Sequence, residues 1–328
     1  MEAILQLKGV SCCYEEKSVI AEVDLELFKG EIVALVGESG SGKTTLLKAI
    51  QGFIELSSGE VRYGGERVLG PSEVLVAGHP EIKTVFQDFQ LQEGLSAENN
   101  IKHELIHYPL AHQKEILSKL IRFCEMESFK SRRPSELSGG MKQKVALAKA
   151  LVDQPDLVLM DEPFSNLDLL SKESFKRVIR NFKHEGVAFL YVTHDIQDAI
   201  DFSDRILYLH QGKLQINTPT ASLFEENISL EFAQFMGLVN VMSADRLTAE
   251  LGISKSGFTH YWVPPQSISL FPSADASVMI EEADHLGNFY RYKLSNGLTY
   301  YSSEFFQSQM KYNAVIDSNQ IVGLSGEG

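Results

Sequence analysis

The sequence predicts an α/β phosphate-binding domain followed by a small all-β domain. Three observations carry this. Gly37-Glu-Ser-Gly-Ser-Gly-Lys-Thr-Thr45 joins an apolar run, Ile32–Val36, to a helical run, Thr44–Ile50. Two further apolar runs, Leu157–Met160 and Val187–Val192, end in Asp161-Glu162 and in Thr193-His194-Asp195. After residue 236, short alternating runs and turn residues replace that pattern.

Taken in order, Ala3–Leu7 and Val19–Phe28 read as strands, with Lys29-Gly30 as a turn. Tyr14 falls on the loop between them. Its ring either stacks on a purine, since every base has a π-face, or packs locally. In the glycine loop, Gly37, Gly40 and Gly42 allow a tight turn whose N–H groups converge at a helix N-terminus, where the dipole favours an anion. Gly37, Ser39, Gly40, Ser41, Gly42, Lys43, Thr44 and Thr45 are the candidate nucleotide ligands. Lys43 would reach the β- and γ-phosphates, and the Thr44 hydroxyl would ligate Mg²⁺. The plain alternative, a glycine turn that binds nothing, does not explain the full G-x-x-x-x-G-K-T spacing between strand and helix.

Ile82–Gln87 reads as a strand ending at a polar residue, which would put Gln87 where α/β sheets bind ligands; a surface glutamine is the alternative. Residues 97–130 read as a helical insertion, with Ile116, Leu120 and Phe123 at helical spacing. Leu137-Ser-Gly-Gly-Met-Lys-Gln143 then opens an amphipathic helix, with Met141, Val145, Ala148 and Val152 on one face and Lys142, Lys144 and Lys149 elsewhere. Ser138 is the expected N-cap. Gly139 and Gly140 would leave the first N–H groups bare, a second anion site.

Leu157–Glu162 suits a buried parallel strand whose tip meets a cation. Asp161 would hold Mg²⁺, and Glu162 would polarise a water as general base. Ser165–Asp168 reads as a polar turn and 171–184 as a helix. Val187–Thr193 reads as another buried strand, ending at His194 beside the same edge, so a γ-phosphate contact is expected there. Arg205–Leu209 and Lys213–Ile216 form a hairpin around Gln211-Gly212. Beyond 236, strands are expected at Thr259–Val263, Ser267–Phe271, Val278–Glu282, Tyr290–Leu294 and Leu298–Tyr301. Pro264-Pro265, Asn296-Gly297 and Ser325-Gly326 supply turns, and the expected architecture is an OB-like barrel.

Composition narrows the function classes. The chain has 328 residues, room for about two domains. A formal net charge of −14 argues against binding nucleic acid through its phosphates. Neither a signal peptide nor a membrane-spanning run is expected. The three cysteines, Cys12, Cys13 and Cys124, lack zinc or disulfide spacing and read as reduced thiols.

The whole constellation resembles the ATP-binding cassette (ABC) family over residues 1–235. Gly37–Thr44, Gln87, Leu137-Ser-Gly-Gly-Met141, Leu157–Glu162, Ser165–Asp168 and His194 look like its Walker A, Q-loop, signature, Walker B, D-loop and H-loop, in order. Tyr14 matches the adenine-stacking position. The resemblance implies a cassette with a helical subdomain at about 88–152 and a head-to-tail homodimer holding two Mg-ATP. Ser138, Gly139 and Gly140 would serve the partner's ATP, and Asp168 would be among the nucleotide-binding residues. Gln87 would join Thr44 and Asp161 on the metal and couple the site to a membrane permease. Glu162, His194 and Gln87 would be catalytic.

Residues 236–328 resemble the TOBE-type domain of importer ATPases through Tyr261–Leu270. This chain has Pro264 and Gln266 where that segment has arginine and glutamate. It also has Phe89-Gln-Leu-Gln-Glu-Gly94 after the Q-loop, facing the membrane subunit, where many importers read Tyr-Ala-Leu-Phe-Pro-His. Lys144 stands where arginine is common, without arginine's planar fork. The implied function is an importer ATPase for an iron(III), polyamine, inorganic-anion or sugar class of solute, peripheral on the inner face of the cell membrane. Permease subunits, with or without a solute-binding protein, are the implied partners. The alternatives are a non-transport ABC ATPase, or a transport ATPase whose β domain acts as a regulatory binding module.

Overall fold

In the computed structural model, the described residues are 3–14, 17–165, 167–223, 228–273, 276, 278–285, 290–302, 305–307 and 310–324. The Ser325-Gly326 turn lies outside them. The chain divides into two compact units, 1–221 and 222–328.

The first unit opens with long antiparallel strands, β1 (Ala3–Tyr14) and β2 (Lys17–Phe28), longer than their alternation predicts. β3 (Ile32–Val36) leads through the glycine loop into α1 (Lys43–Gln51). β4 (Ser58–Tyr63), β5 (Glu66–Arg67) and β6 (Ile82–Val85) follow. The helical segment holds α2 (Ala97–Glu104), α3 (Leu110–Phe123) and α4 (Gly139–Ala150). Next come β7 (Leu157–Asp161), α5 (Leu169–His184), β8 (Ala188–Thr193) and α6 (Ile196–Phe202). The hairpin of β9 (Arg205–His210) and β10 (Lys213–Pro219) closes the unit, turning through Gln211 and Gly212 at φ 47° and 80°.

The strands form two sheets, ordered β2-β1-β4-β5 and β10-β9-β3-β8-β7-β6. In the second sheet, β9, β3, β8, β7 and β6 run parallel, and β10 is an antiparallel edge. β3 and β8 are buried throughout, which is why their residues read as unbroken apolar runs. Leu5, Val23, Leu35, Leu46, Leu159 and Leu190 belong to one shared core under both sheets. Because the central strands are parallel, the ends of β3, β6, β7 and β8 meet on one edge, where Val36 pairs with Thr193 and Asp161 with Val192.

Two expectations need correction. β6 stops at Val85, so Gln87 sits in the turn after the strand. α4 is not amphipathic: Gln143 and Lys144 are buried along with Val145, Leu147 and Ala148. Lys144 tolerates this because Glu125 Oε2 and Ser174 Oγ each lie 2.8 Å from its Nζ.

The second unit begins with α7 (Leu230–Phe235), β11 (Val241–Ser243) and α8 (Ala244–Leu251). It continues through β12 (His260–Trp262), β13 (Ile268–Pro272), β14 (Val278–His285) and β15 (Tyr290–Leu294). β16 (Thr299–Ser302), β17 (Lys311–Ile316) and β18 (Val322–Leu324) complete it. Its sheets are β11-β12-β18 and β13-β17-β14-β15-β16, packed over Tyr261, Tyr292, Tyr312 and Leu247. Among the described residues the strand pairing is that of two open sheets rather than a closed ring.

Candidate functional site

The glycine loop shapes the site. Gly40 and Gly42 have φ of 82° and 107°, and a Cβ on Gly42 would meet Ile20 Cδ1 at 2.7 Å and the Val19 carbonyl at 2.9 Å. No other residue fits there. Gly42 caps α1 without any side chain, so the first amides of the helix are not satisfied by a side-chain cap. Ser41 is buried, and its Oγ has no partner among the described residues. A buried hydroxyl without a partner is costly unless a ligand supplies one.

An open cavity of about 500 Å³ lies over this loop, lined by Ser39, Gly40, Gly42, Lys43, Thr44 and Thr45. Gln87, Asp161, Glu162 and His194 complete its polar lining. The size suits a small-molecule ligand. Val19 also lines it, a contact the sequence offered no signal for. A smaller cleft of about 290 Å³, near Ile116, Leu120 and Phe182, contains none of these groups.

Charge in the cavity is held back by burial. Lys43 is 9% exposed, and its Nζ donates to the Gly37 and Glu38 carbonyls at 2.8 Å. Burial pushes its pKa down, against the pull of Glu162 and Asp161. Burial also pushes Asp161 up, reinforced by Glu162 and opposed by Lys43 and Lys48. Desolvation therefore outweighs mutual attraction in both groups. An anion beside Lys43 would favour its charged form, and a cation beside Asp161 would favour the carboxylate. A metal-bound phosphate supplies both, and Thr44, Gln87 and Asp161 are the oxygen donors that fit Mg²⁺. No cluster of three or more histidine, cysteine, aspartate or glutamate residues suited to a metal occurs among the described residues.

Glu162 is aimed by its backbone. Its φ is 49°, in the left-handed region, and its N–H donates to the Val192 carbonyl at 3.1 Å. That conformation costs a non-glycine residue roughly 1–2 kcal/mol, and the Glu162 side chain lines the cavity. Glu162 Oε1 lies 2.9 Å from His194 Nδ1. An ionised carboxylate only accepts, so the ring carries a proton on Nδ1.

The other candidates lie outside this lining. Ser138 caps α4, its Oγ accepting from the Met141 N–H at 3.4 Å. A Cβ on Gly140 would meet Ser171 Cβ at 2.8 Å, so close helix packing already requires that glycine. Asp168 caps α5, accepting from the Ser171 N–H at 3.0 Å and the Ser171 hydroxyl at 2.6 Å. Those bonds hold its carboxyl below the usual range. Tyr14 ends β1 rather than standing on a loop, and its side chain lies outside the described residues. All three cysteines are free thiols.

Residues 20–165 match the family described as ABC transporter. The chain is 33% identical over 288 residues to the spermidine/putrescine import ATP-binding protein PotA of Lawsonia intracellularis, covering 86% of this chain and 77% of that protein. It is 34% identical over 247 residues to the protein of the same name from Nitratidesulfovibrio vulgaris, covering 74% of this chain and 65% of that one. Among solved structures, a dimeric ATP-binding cassette in a post-hydrolysis state, bound to ADP and Pi, matches with a TM-score of 0.57 and 29% identity. That match covers 66% of this chain and 98% of the other.

Proposed function

The chain belongs to the ABC transporter family, and from that premise we propose that it is the ATP-hydrolysing subunit of an importer for polyamine-class solutes. The observation that carries the mechanism is the gathering of Lys43, Thr44, Gln87, Asp161, Glu162 and His194 around one cavity. Lys43 and the loop amides bind the phosphates. Thr44, Gln87 and Asp161 would hold Mg²⁺, which would neutralise phosphate charge. Glu162 takes a proton from the attacking water, and His194, oriented by its bond to Glu162, contacts the γ-phosphate. Tyr14 stacks on the adenine.

The cavity lacks Ser138–Gly140 and Asp168, which supports a paired site in which each chain supplies these to its partner's nucleotide. The dimeric state of the solved relative supports the same reading. On this reading residues 1–235 form the cassette and 236–328 a TOBE-like domain. No helix among the described residues is long and apolar enough to cross a membrane; the relatives' names, import ATP-binding proteins, support a membrane permease as the partner. The chain is then peripheral on the inner membrane face, with the segment after Gln87 toward the permease. Among the four solute classes, the names of the relatives favour polyamines.

The test is purification at native level in mild detergent with Mg-free ATP, followed by identification of the companions. A multi-span membrane protein is expected, together with loss of spermidine and putrescine uptake when the chain is deleted. Ribosomal or DNA-repair companions without a membrane protein would overturn the transport reading, and unchanged polyamine uptake would overturn the solute class.

A further inference from the structure

One lysine joins the helix that begins at Ser138 to the turn that carries Gln87. Lys149 lies in the last turn of α4. Its Nζ donates to the Gln90 carbonyl at 2.9 Å and pairs with Glu104 at 3.3 Å. Only 17% of the side chain is exposed, so water competes weakly for the ammonium.

The turn it holds is strained. Phe89 and Gln90, neither of them glycine, stand consecutively at φ 60° and 45°. L residues keep such angles only under tertiary restraint. Within the turn, Phe89 N–H reaches the Phe86 carbonyl at 3.1 Å, and Gln90 N–H the Asp88 carbonyl at 2.8 Å. Lys149 adds a charge-assisted bond from outside the turn. Gln87, two residues before Phe89 in the same turn, lines the cavity.

We propose that Lys149 is a positioning residue of the ATPase. It fixes the turn so that Gln87 addresses the metal, and it carries movement of that turn along α4 to Ser138–Gly140. α4 is a single largely buried helix, also tied at Lys144 to Glu125 and Ser174, so it moves as a body. The first half concerns the chain's own cavity. The second half rests on the paired-site reading.

Two variants test it. Lys149→Met keeps the stem and loses the ammonium, whereas Lys149→Arg keeps a donor. The first readout is the factor by which Mg²⁺ tightens binding of a non-hydrolysable ATP analogue, measured in chains also carrying Ser138→Arg so that only the chain's own cavity reports. In Lys149→Met that factor should fall about tenfold, with metal-free binding kept within about twofold and both restored by Lys149→Arg. A purely structural lysine would instead lower the melting temperature or weaken both affinities alike. An unchanged Mg²⁺ factor, or one that arginine fails to restore, overturns the first half.

The second readout is ATP-dependent dimerisation of Glu162→Gln, with and without Lys149→Met. A higher ATP requirement in the double variant is expected, and an equal requirement overturns the relay. If Glu162→Gln alone stays monomeric at saturating ATP, the paired-site reading fails and takes the relay with it, while the Mg²⁺ result still decides the first half.

Discussion

Glu162→Gln should separate binding from turnover, and the cavity sets the sign of each. Glutamine has nearly the same shape, so it can keep the backbone turn at φ 49° and the N–H bond to Val192. Its amide oxygen can still accept from His194 Nδ1, 2.9 Å from Oε1 in the native chain. What disappears is one negative charge beside Asp161 and Lys43. Glu162 is part of what pushes Asp161 up, after burial, so Asp161 ionises more readily without it. A triphosphate entering the cavity also meets one anion fewer. ATP binding should therefore hold or tighten. Turnover should lose the general base, typically about 10²–10⁴-fold, or about 3–5 kcal/mol of barrier. The assay pairs phosphate release at saturating Mg-ATP with equilibrium ATP binding and size-exclusion chromatography. The expected result is retained binding, turnover down at least about a hundredfold, and a dimer peak that needs ATP. Wild-type turnover would refute the base assignment, and lost binding would refute the charge argument.

Ser138→Arg should abolish turnover while the isolated monomer keeps its nucleotide affinity, because Ser138 lies outside the cavity lining; a monomer that no longer binds nucleotide would count against the paired site. Asp198→Asn removes the shared partner of Lys172 at 2.6 Å and of the nearly buried Lys176 at 3.2 Å. Among the described residues, the nearly buried Lys176 then keeps only the exposed Glu173 at 3.4 Å as a charged partner, which should cost about 1–3 kcal/mol in urea unfolding followed by circular dichroism; a loss below about 0.5 kcal/mol would mean that Glu173 and water compensate. Glu125 titrates on the acid side: Arg177 first, with Lys144 and Ser174, holds its carboxyl at about 2, below the ordinary 4.5. A depressed carboxyl contributes stability above its unfolded pKa and loses it as pH falls toward the folded one. The stability gap between the native chain and Glu125→Gln should thus be level above pH 4.5 and close between 4.5 and about 2; a gap unaltered by acid would contradict the bonding.

The sheet edge could be read from sequence because fully buried parallel strands have no polar alternation to obscure them. Ile32–Val36, Leu157–Met160 and Val187–Val192 announce themselves, and parallel strands bring their polar tips together. Charged residues with distant partners could not be read that way. Lys144 and Lys149 look like the wet face of a helix, yet their partners, Glu125, Ser174, Gln90 and Glu104, are set by packing between elements. The left-handed turns at Phe89, Gln90 and Glu162 escaped for the same reason, since tertiary restraint rather than glycine holds them. α8 was missed although Ser243 caps it and Gly252 ends it, because a helix of eight residues offers little periodicity among short strands.

The residues outside the cavity are organised by one side chain. Ser171 donates to Asp168 from both its N–H and its hydroxyl, and its Cβ occupies the space that a side chain at position 140 would need. The starts of α4 and α5 are therefore set against each other within the chain, whatever they meet outside it. Both helices also have charged ties: Lys149 runs from α4 to the Gln90 turn, and Lys172 and Lys176 run from α5 to Asp198 on α6, just after His194. Phe164, buried against Tyr191, Phe175 and Phe202, pins the chain soon after Glu162 and before α5 begins. Charged or packed contacts thus connect the turn of Gln87 and the chain after His194 with the helices that begin at Ser138 and Asp168. Contacts of this kind, running from the rim of the cavity to a surface that does not line it, are the physical means by which that surface would respond to nucleotide.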